Sequence, residues 1–258
     1  MAFRLLRQSL DSDMLATKNR FEGAHAAVVG RQTKQSSTRP SNRAPVVHEE
    51  VYAKLRRAII EGQLAPGRPL SVRTLAARFS VSAMPAREAI RRLVALGAFE
   101  MTPTRRIMIA MMTPAKVDEL TEARVLLEPK LARRASEKVQ GKARAGLIAR
   151  LTRIDQRLDS AIERGDASAY GKANSEFHFA LYQAAKAPVL LGVVESLWLQ
   201  TGPFMRVVVE SLGAANLVDQ HKETIDALAA GDARKLEKAI RLDIQEGMNR
   251  IGEASAKG

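Results

Sequence analysis

The sequence predicts a mainly α protein with an N-terminal winged helix-turn-helix followed by a C-terminal all-α helical bundle. Residues 46–112 contain helical segments joined by a short turn, and then a hairpin pattern. Residues 113–258 repeat apolar side chains at helical spacing and contain no convincing strand. Residues 1–112 also carry most of the net charge of +13. We therefore expect two folded domains, at residues 46–112 and 113–258.

Residues 1–45 predict a flexible basic tail. Residues 32–45 are polar, rich in serine and threonine and interrupted by prolines, a composition that buries too little apolar surface to order itself. The N-terminal arginines are not followed by a long apolar segment, and acidic residues lie among them. These features argue against a targeting peptide.

The first domain begins with a predicted helix over residues 47–61, where apolar residues recur on one face. Gly62 ends this helix, and Ser71 is a suitable N-cap for a second helix over residues 72–79. Residues 80–83 form a tight link to a third helix. Two helices separated by so short a turn are typical of a helix-turn-helix.

The third helix is predicted to begin near Met84 and Pro85, with proline in its favoured first turn, and to end at Gly97. Residues 98–112 then predict two short strands around a turn at residues 102–106. A hairpin that follows the third helix is the expected wing. The order of elements therefore predicts a winged helix-turn-helix.

The second domain is predicted to contain about six helices. They cover residues 114–131, 147–162, 168–186, 189–211, 215–230 and 233–251. The sequence Gly-Asp-Ala occurs at residues 165–167 and 231–233, and each copy pairs a glycine that stops one helix with an aspartate that caps the next. This pattern predicts a helical bundle.

Composition excludes several classes of protein. The chain has no cysteine, which rules out disulfides, thiolate metal sites and cysteine nucleophiles. No apolar run approaches the ~18 residues of a membrane span. No nucleophile constellation, phosphate-binding glycine loop or HExxH helix is present, so we do not expect an enzyme. The N-terminal charge predicts a polyanionic partner, with nucleic acid favoured over a membrane.

Short motifs lie in both predicted domains. In the first they are Leu75-Ala76, Phe79, Val81-Ser82, Pro85-Ala86-Arg87-Glu88-Ala89-Ile90, Leu93 and Gly97. In the second they are EARVLLE at 122–128, NSEFH at 174–178 and QHKETIDALAAGD at 220–232. The first set resembles the GntR family of bacterial transcription regulators, and the second resembles the FCD ligand-binding domain of the FadR branch. The resemblance covers about residues 47–251 and implies a DNA-binding domain joined to an FCD-like domain that binds an effector and dimerises.

Six residues are candidates for DNA binding: Arg73, Ser82, Pro85, Arg87, Arg105 and Arg106. In this arrangement the N-terminal residues of the third helix face base edges, and the planar fork of arginine suits guanine. The resemblance assigns Arg73 and Arg87 to DNA contact. Ser82 is expected to donate to a phosphate, and the two arginines of the wing are expected at phosphate or in the minor groove.

Two departures from the family's pattern affect this surface. Ala83 stands where the family has arginine, and Arg106 stands where the family's wing tip carries glycine. Arg91 and Arg92 lie a turn further along the third helix and are expected to meet phosphate or solvent. A second interpretation of all these arginines is that they only solvate a small helical domain.

Four polar residues on three helices of the second domain are predicted to face inwards: Asn174, His178, His221 and Asp243. Burying them without partners would be costly, so they share hydrogen bonds or hold a cation. The resemblance implies an aspartate and three histidines that bind a divalent metal; here Asn174 replaces the aspartate and Asp243 replaces the last histidine. Imidazole and carboxylate ligands suit zinc, nickel or manganese. A hydrogen-bonded polar core without metal is the alternative.

Arg124 lies on the first helix of the second domain and has two interpretations. It can neutralise an anionic effector, or it can form an ion pair with Glu128, its neighbour four residues on. An open position on a bound metal would accept the carboxylate of such an effector. We therefore expect the effector to be a small organic acid.

These features predict a cytoplasmic, homodimeric transcription regulator that binds a palindromic operator in double-stranded DNA. An effector in the helical domain is expected to modulate that binding, and the resemblance favours a repressor over an activator. The alternatives are a metal-dependent hydrolase built on a helical bundle and an architectural DNA-binding protein without an effector. The concentrated charge and the wing disfavour the hydrolase, and the inward polar cluster disfavours the architectural protein.

Overall fold

The computed structural model describes residues 43–212 and 220–256, and within these ranges the chain is mainly helical, as predicted. The helices are α1 (Arg43–Ile60), α2 (Val72–Arg78), α3 (Ala83–Ala95), α4 (Pro114–Lys138), α5 (Gly141–Glu163), α6 (Ala167–Ala184), α7 (Pro188–Leu212), α8 (His221–Ala230) and α9 (Ala233–Ala256). β1 (Glu100–Met101) and β2 (Ile107–Met108) form an antiparallel pair. Each helix in the two described ranges is too short or too polar to cross a membrane.

The first three helices form the predicted helix-turn-helix. α1 begins at Arg43, so it takes in the last residues of the segment predicted as a tail, the rest of which lies outside the described residues. Ser71 caps α2 as expected, because its hydroxyl oxygen accepts a hydrogen bond from the backbone N–H of Thr74 at 3.0 Å. Ser80 turns the chain between α2 and α3 with a left-handed backbone (φ 52°).

The two predicted strands form the wing. Glu100 pairs with Met108, and Met101 pairs with Ile107. Ile107 also exchanges two backbone hydrogen bonds with Leu70, at 2.7 and 2.9 Å. Because Ile107 is fully buried, the wing is anchored in the core beside the start of α2.

The described helices from α4 to α9 form the predicted bundle. Gly165 and Gly231 have left-handed backbones, with φ values of 62° and 69°, and follow the ends of α5 and α8. Asp166 and Asp232 then accept hydrogen bonds from backbone N–H groups three residues further on, at 2.9 and 3.0 Å. Both Gly-Asp-Ala segments therefore end one helix and begin the next, as predicted.

Several helix boundaries in the bundle differ from the prediction: α5 begins at Gly141 rather than at residue 147, and α9 continues to Ala256 rather than ending at residue 251. α4 continues to Lys138 and carries Pro129 inside it, whereas the sequence predicted an end at residue 131. The last turns of α4 bury small side chains, which give no periodic pattern of large apolar residues. α8 begins at His221, so the predicted helix over 215–230 is confirmed only from that residue, and residues 215–219 lie outside the described part.

The winged domain is packed directly against the bundle through α1, α6 and α7. Gly202 on α7 lies so close to α1 that an added Cβ would stand 2.4 Å from the carbonyl oxygen of Ile60. Gly171 on α6 makes a similar approach, with 3.1 Å between an added Cβ and the carbonyl oxygen of Glu61. The end of α1 therefore rests on two glycines of the bundle.

Candidate nucleic-acid interface and ligand cavity

Four arginines give the winged domain an exposed cationic surface, the arginine surface (Arg73, Arg87, Arg105 and Arg106). Arg73 lies in the first turn of α2, Arg87 lies in the second turn of α3, and the other two lie at the wing tip. None of the four forms an ion pair with a residue in the described ranges. Their charges are therefore available to a polyanion.

The two other residues expected at DNA differ in exposure. Ser82 is exposed at the N-cap position of α3, and its side chain makes no capping hydrogen bond. Its hydroxyl is therefore available to a phosphate. Pro85 is buried in the first turn of α3, which corrects the expectation that it contacts DNA. Proline fixes the backbone where the helix begins, so its contribution is to the position of α3.

Arg91 and Arg92 already have partners, although the sequence suggested phosphate or solvent for both. An Nη2 atom of Arg91 lies 2.9 Å from Oε1 of Glu88, and Nη1 of Arg92 lies 2.8 Å from Oε2 of Glu49. The guanidinium of Arg92 also stacks over the ring of Tyr52, 3.7 Å from its centroid. Arg91 is therefore paired within α3 and Arg92 links α3 to α1, so neither is counted in the arginine surface.

At the wing tip the left-handed backbone falls on Arg105 (φ 56°), not on Arg106, the position where the resemblance placed a glycine. The turn is held by Thr102. Its carbonyl oxygen accepts from the N–H of Arg105 at 2.9 Å, and its hydroxyl oxygen accepts from the N–H of Arg106 at 3.1 Å. Both guanidinium groups stay exposed. The tip therefore keeps two cations at the expense of a backbone conformation that arginine rarely adopts.

Three of the four polar residues predicted to face inwards converge in the bundle as the His–Asp cluster (His178, His221 and Asp243). Nε2 of His178 lies 3.1 Å from Oδ2 of Asp243 and 3.4 Å from Nε2 of His221. Nε2 of His221 lies 3.9 Å from Oδ1 of Asp243. Two ligand atoms on a tetrahedral zinc ion lie about 3.4 Å apart, given metal–ligand bonds of about 2.1 Å. The cluster therefore has the donor types and the spacing of a metal site.

Asn174 is buried on α6, one turn before His178, and lines the same cavity as His178 and Asp243. Its amide oxygen is an uncharged ligand for a cation, weaker than the carboxylate that the family pattern has there. The carboxylate of Asp243 faces the cluster from α9 instead. The negative charge is therefore supplied by a different helix.

A hydrogen-bond chain orients the ring of His178. Glu128 is fully buried and accepts from Nε of Arg124 at 2.6 Å, from Nε1 of Trp198 at 3.1 Å and from the hydroxyl of Tyr182 at 2.7 Å. Burial and the neighbouring Glu128 carboxylate raise the pKa of Tyr182 well above its ordinary value, so it keeps its proton. Its oxygen then accepts from Nδ1 of His178 at 3.1 Å. In a neutral ring this leaves the Nε2 lone pair of His178 facing the cluster.

Asp243 supplies the negative charge of the cluster. Burial by itself would raise the pKa of its carboxyl. The charge and hydrogen bond of His178, the charge of His221 and the backbone N–H of Gln220 outweigh burial and lower the pKa below its usual value. A carboxylate oxygen beside a nitrogen lone pair is repelled unless a proton or a cation lies between them. The arrangement therefore fits either a proton shared between His178 and Asp243 or a bound cation.

His221 is held from behind by residues that the sequence did not single out. Oδ1 of Asp155 on α5 lies 3.8 Å from Nδ1 of His221, and the ring of Phe177 lies 4.1 Å from the imidazole, centroid to centroid. A carboxylate behind a histidine orients the ring towards a metal. The available signal was that Asp155 follows Leu151 by one turn, on the buried face of its helix.

The cavity beside the His–Asp cluster has a volume of about 30 Å³, room for roughly one water-sized group. Arg124 and Arg250 both line it. Arg124 is paired with Glu128 and lies over the ring of Trp198, 4.7 Å from its centroid, so the ion-pair interpretation of Arg124 is the one observed. Arg250 forms no ion pair with the described residues. The sequence did not single it out, although it lies seven residues after Asp243, two turns along the same face of α9.

Comparison with known proteins gives the family. Residues 47–109 match the model of the bacterial regulatory proteins of the gntR family, and residues 119–246 match the model of the FCD domain. Together the two matches cover about three quarters of the chain. The chain belongs to the GntR family.

This GntR-family regulator is 27% identical to the HTH-type transcriptional regulator McbR of Escherichia coli (strain K12), over 71% of its own length and 82% of McbR. It is 28% identical to the HTH-type transcriptional repressor RspR of the same strain, over 78% of its length and 86% of RspR. The solved structure of E. coli McbR/YncC matches with a TM-score of 0.72 at 25% identity, and covers 80% of this chain and 97% of that one. These similar proteins are transcriptional regulators. The prediction that the chain regulates transcription and is not an enzyme is thereby confirmed.

Proposed function

We propose that this GntR-family regulator is a cytoplasmic homodimer that represses transcription by binding a palindromic operator. Residues 46–112 read the DNA, and residues 113–258 bind an effector and dimerise. The relative RspR is named a repressor, which supports repression over activation. The observation that carries the proposal is the arginine surface, whose four charges have no carboxylate partner in the described part of the chain.

Arg87 is the residue that best tests operator recognition. Its side chain leaves the N-terminal half of α3, where an arginine fork can bind guanine O6 and N7. Such a contact contributes about 1–3 kcal/mol and the proposed dimer makes two of them, so Arg87→Ala is expected to bind operator about thirtyfold or more weakly. Binding is measured by fluorescence anisotropy on a duplex selected from a random pool. Sedimentation of the complex is expected to give two chains per duplex.

Arg91→Ala is the matched control, because Arg91 lies on the same helix but is paired with Glu88. We expect operator binding within about twofold of the unchanged protein, since an exposed ion pair contributes little. Both variants should keep the thermal midpoint, because both side chains are exposed. Equal losses of binding in the two variants, or a large loss of stability in Arg87→Ala, would contradict the assignment of Arg87 to base contact.

We also propose that the His–Asp cluster holds a divalent metal, with Asn174 beside it. The donor types and the spacing of the three donor atoms support this proposal. A bound zinc, nickel or manganese ion would offer an open position to the carboxylate of an effector. The residues of this chain hold and orient that position, through Tyr182 behind His178 and Asp155 behind His221.

Elemental analysis of the purified full chain tests the metal. We expect a divalent metal to be retained, and to be lost from the variant that combines His178→Ala with His221→Ala. His48→Ala is the control, because His48 lies on α1 outside the cluster and its variant should keep the metal. Protein that retains no metal, and that added zinc, nickel or manganese does not stabilise against heat, would refute the metal and leave a hydrogen-bonded polar core.

The proposed effector is a small organic acid bound in the cavity. Arg250 supports this, because it lines the cavity and has no ion pair with the described residues. Arg124 lines the same cavity and stays a proposed effector-binding residue, although Glu128 already balances its charge. A cavity of about 30 Å³ holds roughly one water-sized group, so an organic acid must displace lining side chains to bind there.

A thermal-shift screen of the full chain against small carboxylates tests the effector. We expect a positive shift that Arg250→Ala removes and Arg241→Ala keeps, because Arg241 is exposed on the same helix outside the cavity. If no carboxylate shifts the midpoint, the architectural protein without an effector becomes the better interpretation. An effector that does bind can change operator affinity only if it binds the two arrangements of the winged domains differently.

A further inference from the structure

A large apolar side chain stands in the middle of the arginine surface. Met84, in the first turn of α3, is 70% exposed. Arg87 follows it by three residues and therefore lies on the same face of the helix. Ala83, also exposed, leaves space beside the methionine. The start of α3 thus offers DNA an apolar contact next to a cation.

Met84 also lines a shallow depression of about 750 Å³ between α3 and the wing. Its other apolar lining comes from Val72, Ile90, Val94 and Met101, and Met101 is itself 53% exposed. Exposing an unbranched apolar side chain to water is unfavourable, so such a group at a binding face points to an apolar contact in the complex. A partner protein is disfavoured, because it would have to cover Arg87, which lines the depression and has no counter-ion in the described ranges.

The major groove of DNA supplies a contact of the required kind. Thymine carries a 5-methyl group there, and it is the apolar feature by which a protein distinguishes T·A from the other base pairs. Three residues of α-helix correspond to a rise of about 4.5 Å, close to the ~3.4 Å between base pairs. Side chains at positions 84 and 87 therefore reach neighbouring base pairs.

Resting on the proposed operator binding, we propose that Met84 determines sequence specificity by packing against the 5-methyl group of a thymine. That thymine lies one base pair from the pair that Arg87 contacts. The arginine supplies hydrogen bonds to a guanine and the methionine supplies an apolar contact to its neighbour. Each half-site of the operator is thus expected to contain an adjacent G·C and T·A pair.

Replacing thymine by uracil tests the proposal, because it removes the methyl group and leaves base pairing unchanged. The full chain first selects duplexes from a random pool. In a selected duplex each thymine is then replaced in turn by deoxyuridine, and binding is measured by fluorescence anisotropy. One thymine per half-site is expected to weaken binding about fourfold when replaced, the fold-change that corresponds to one buried methyl group.

Met84→Ala removes the contact from both half-sites, so it is expected to bind the thymine duplex about sixteenfold more weakly and to lose its sensitivity to uracil at that position. Met84→Leu should regain most of the sensitivity. Met111→Ala is the control for an exposed methionine outside this depression, and should keep both affinity and sensitivity. The proposal is overturned if the unchanged protein is indifferent to uracil at every thymine, or if Met84→Ala stays equally sensitive. Failure to select any duplex would instead refute the proposed operator binding, and this inference with it.

Discussion

An arginine and a glutamate form an ion pair in each domain, in very different surroundings. Arg91 and Glu88 meet on the outer face of α3, with 79% and 39% of their side chains exposed. Arg124 and Glu128 meet inside the bundle, with 7% and 0% exposed. The winged domain points charges outwards, where water screens them and an external polyanion can bind them. The bundle also buries some charges, and there Arg124 and Glu128 pair with one another away from solvent.

The largest expected loss of stability comes from removing the buried carboxylate of Glu128. Glu128 accepts hydrogen bonds from Arg124, Tyr182 and Trp198. Glu128→Ala therefore leaves one buried positive charge and two buried donors without their acceptor. Breaking a buried ion pair in this way costs about 3–5 kcal/mol, and we expect a loss of that size in the free energy of unfolding. Urea unfolding in the presence of a chelator measures it without a contribution from bound metal.

Glu88→Ala is the matched variant, because it removes the same carboxylate from the exposed pair. Solvent screens that pair, so the urea midpoint should hardly move. A buried donor left without an acceptor is costly in a way that an exposed one is not. Similar losses of unfolding free energy in Glu88→Ala and Glu128→Ala would contradict the claim that burial makes the second ion pair costlier to break.

A smaller loss of stability is expected from a substitution where the winged domain packs against the bundle. A Cβ at Gly202 would stand 2.4 Å from the carbonyl oxygen of Ile60, a contact between backbones that no side-chain rotation relieves. Overpacking of this kind costs about 1–3 kcal/mol, so Gly202→Ala should lower the thermal midpoint. Gly192 on the same helix has nothing within 4 Å of an added Cβ. Gly192→Ala should therefore raise stability by up to about 1 kcal/mol.

The contrast between these two glycine variants tests whether the domains form one packed unit. If Gly202→Ala proved as stable as Gly192→Ala, the end of α1 would not rest on α7 in solution. If Gly202→Ala is destabilised as expected, α7 and α1 are in direct contact, so a displacement of α7 would also displace the end of α1 in the winged domain. Thr201 and Met205 on α7 line the ligand cavity, so such a displacement can begin at the proposed effector site.

Features with a local cause could be predicted from the sequence. The Ser71 cap, the two Gly-Asp-Ala boundaries and the short wing strands depend on interactions within a few residues, and all were found. The inward orientation of His178 and His221 followed from helical periodicity, and both side chains are buried. Periodicity fixes the face on which a residue lies.

Partners supplied by distant segments could not be predicted in the same way. Tyr182 and Glu128 are 54 residues apart, Trp198 and Glu128 are 70 apart, and Arg92 and Glu49 are 43 apart. Periodicity does not say which other helix that face meets, because helix packing angles and register depend on the whole core. The roles of Glu128 and Trp198 around the cavity, and the pairing of Arg92, therefore emerged only from the fold.

The smallest effect on the fold is expected at the wing tip, where substitutions should change DNA binding instead. Arg105 and Arg106 are exposed and have no ion pairs among the described residues, so we expect them to contact phosphates rather than base edges. Replacing both by alanine should weaken binding to all duplexes by a similar factor, without changing the selected sequence. The slope of log affinity against log salt concentration should become shallower by about 3.6, since the proposed dimer loses two phosphate contacts from each chain and each contact contributes about 0.9. Anisotropy titrations at several salt concentrations measure this slope.

Arg150→Ala combined with Arg153→Ala is the control for net charge, because it removes two exposed cations from α5 in the bundle. If only the overall charge attracted DNA, both double variants would reduce the slope equally. That result would contradict the assignment of phosphate contacts to the wing. If the wing binds phosphate locally, only the Arg105 and Arg106 variant changes the slope.

Arg105→Gly separates the effect of the backbone from the effect of the charge. Glycine adopts the left-handed conformation at residue 105 without strain, so this variant should stabilise the fold slightly. It should still lose the phosphate contact of that side chain.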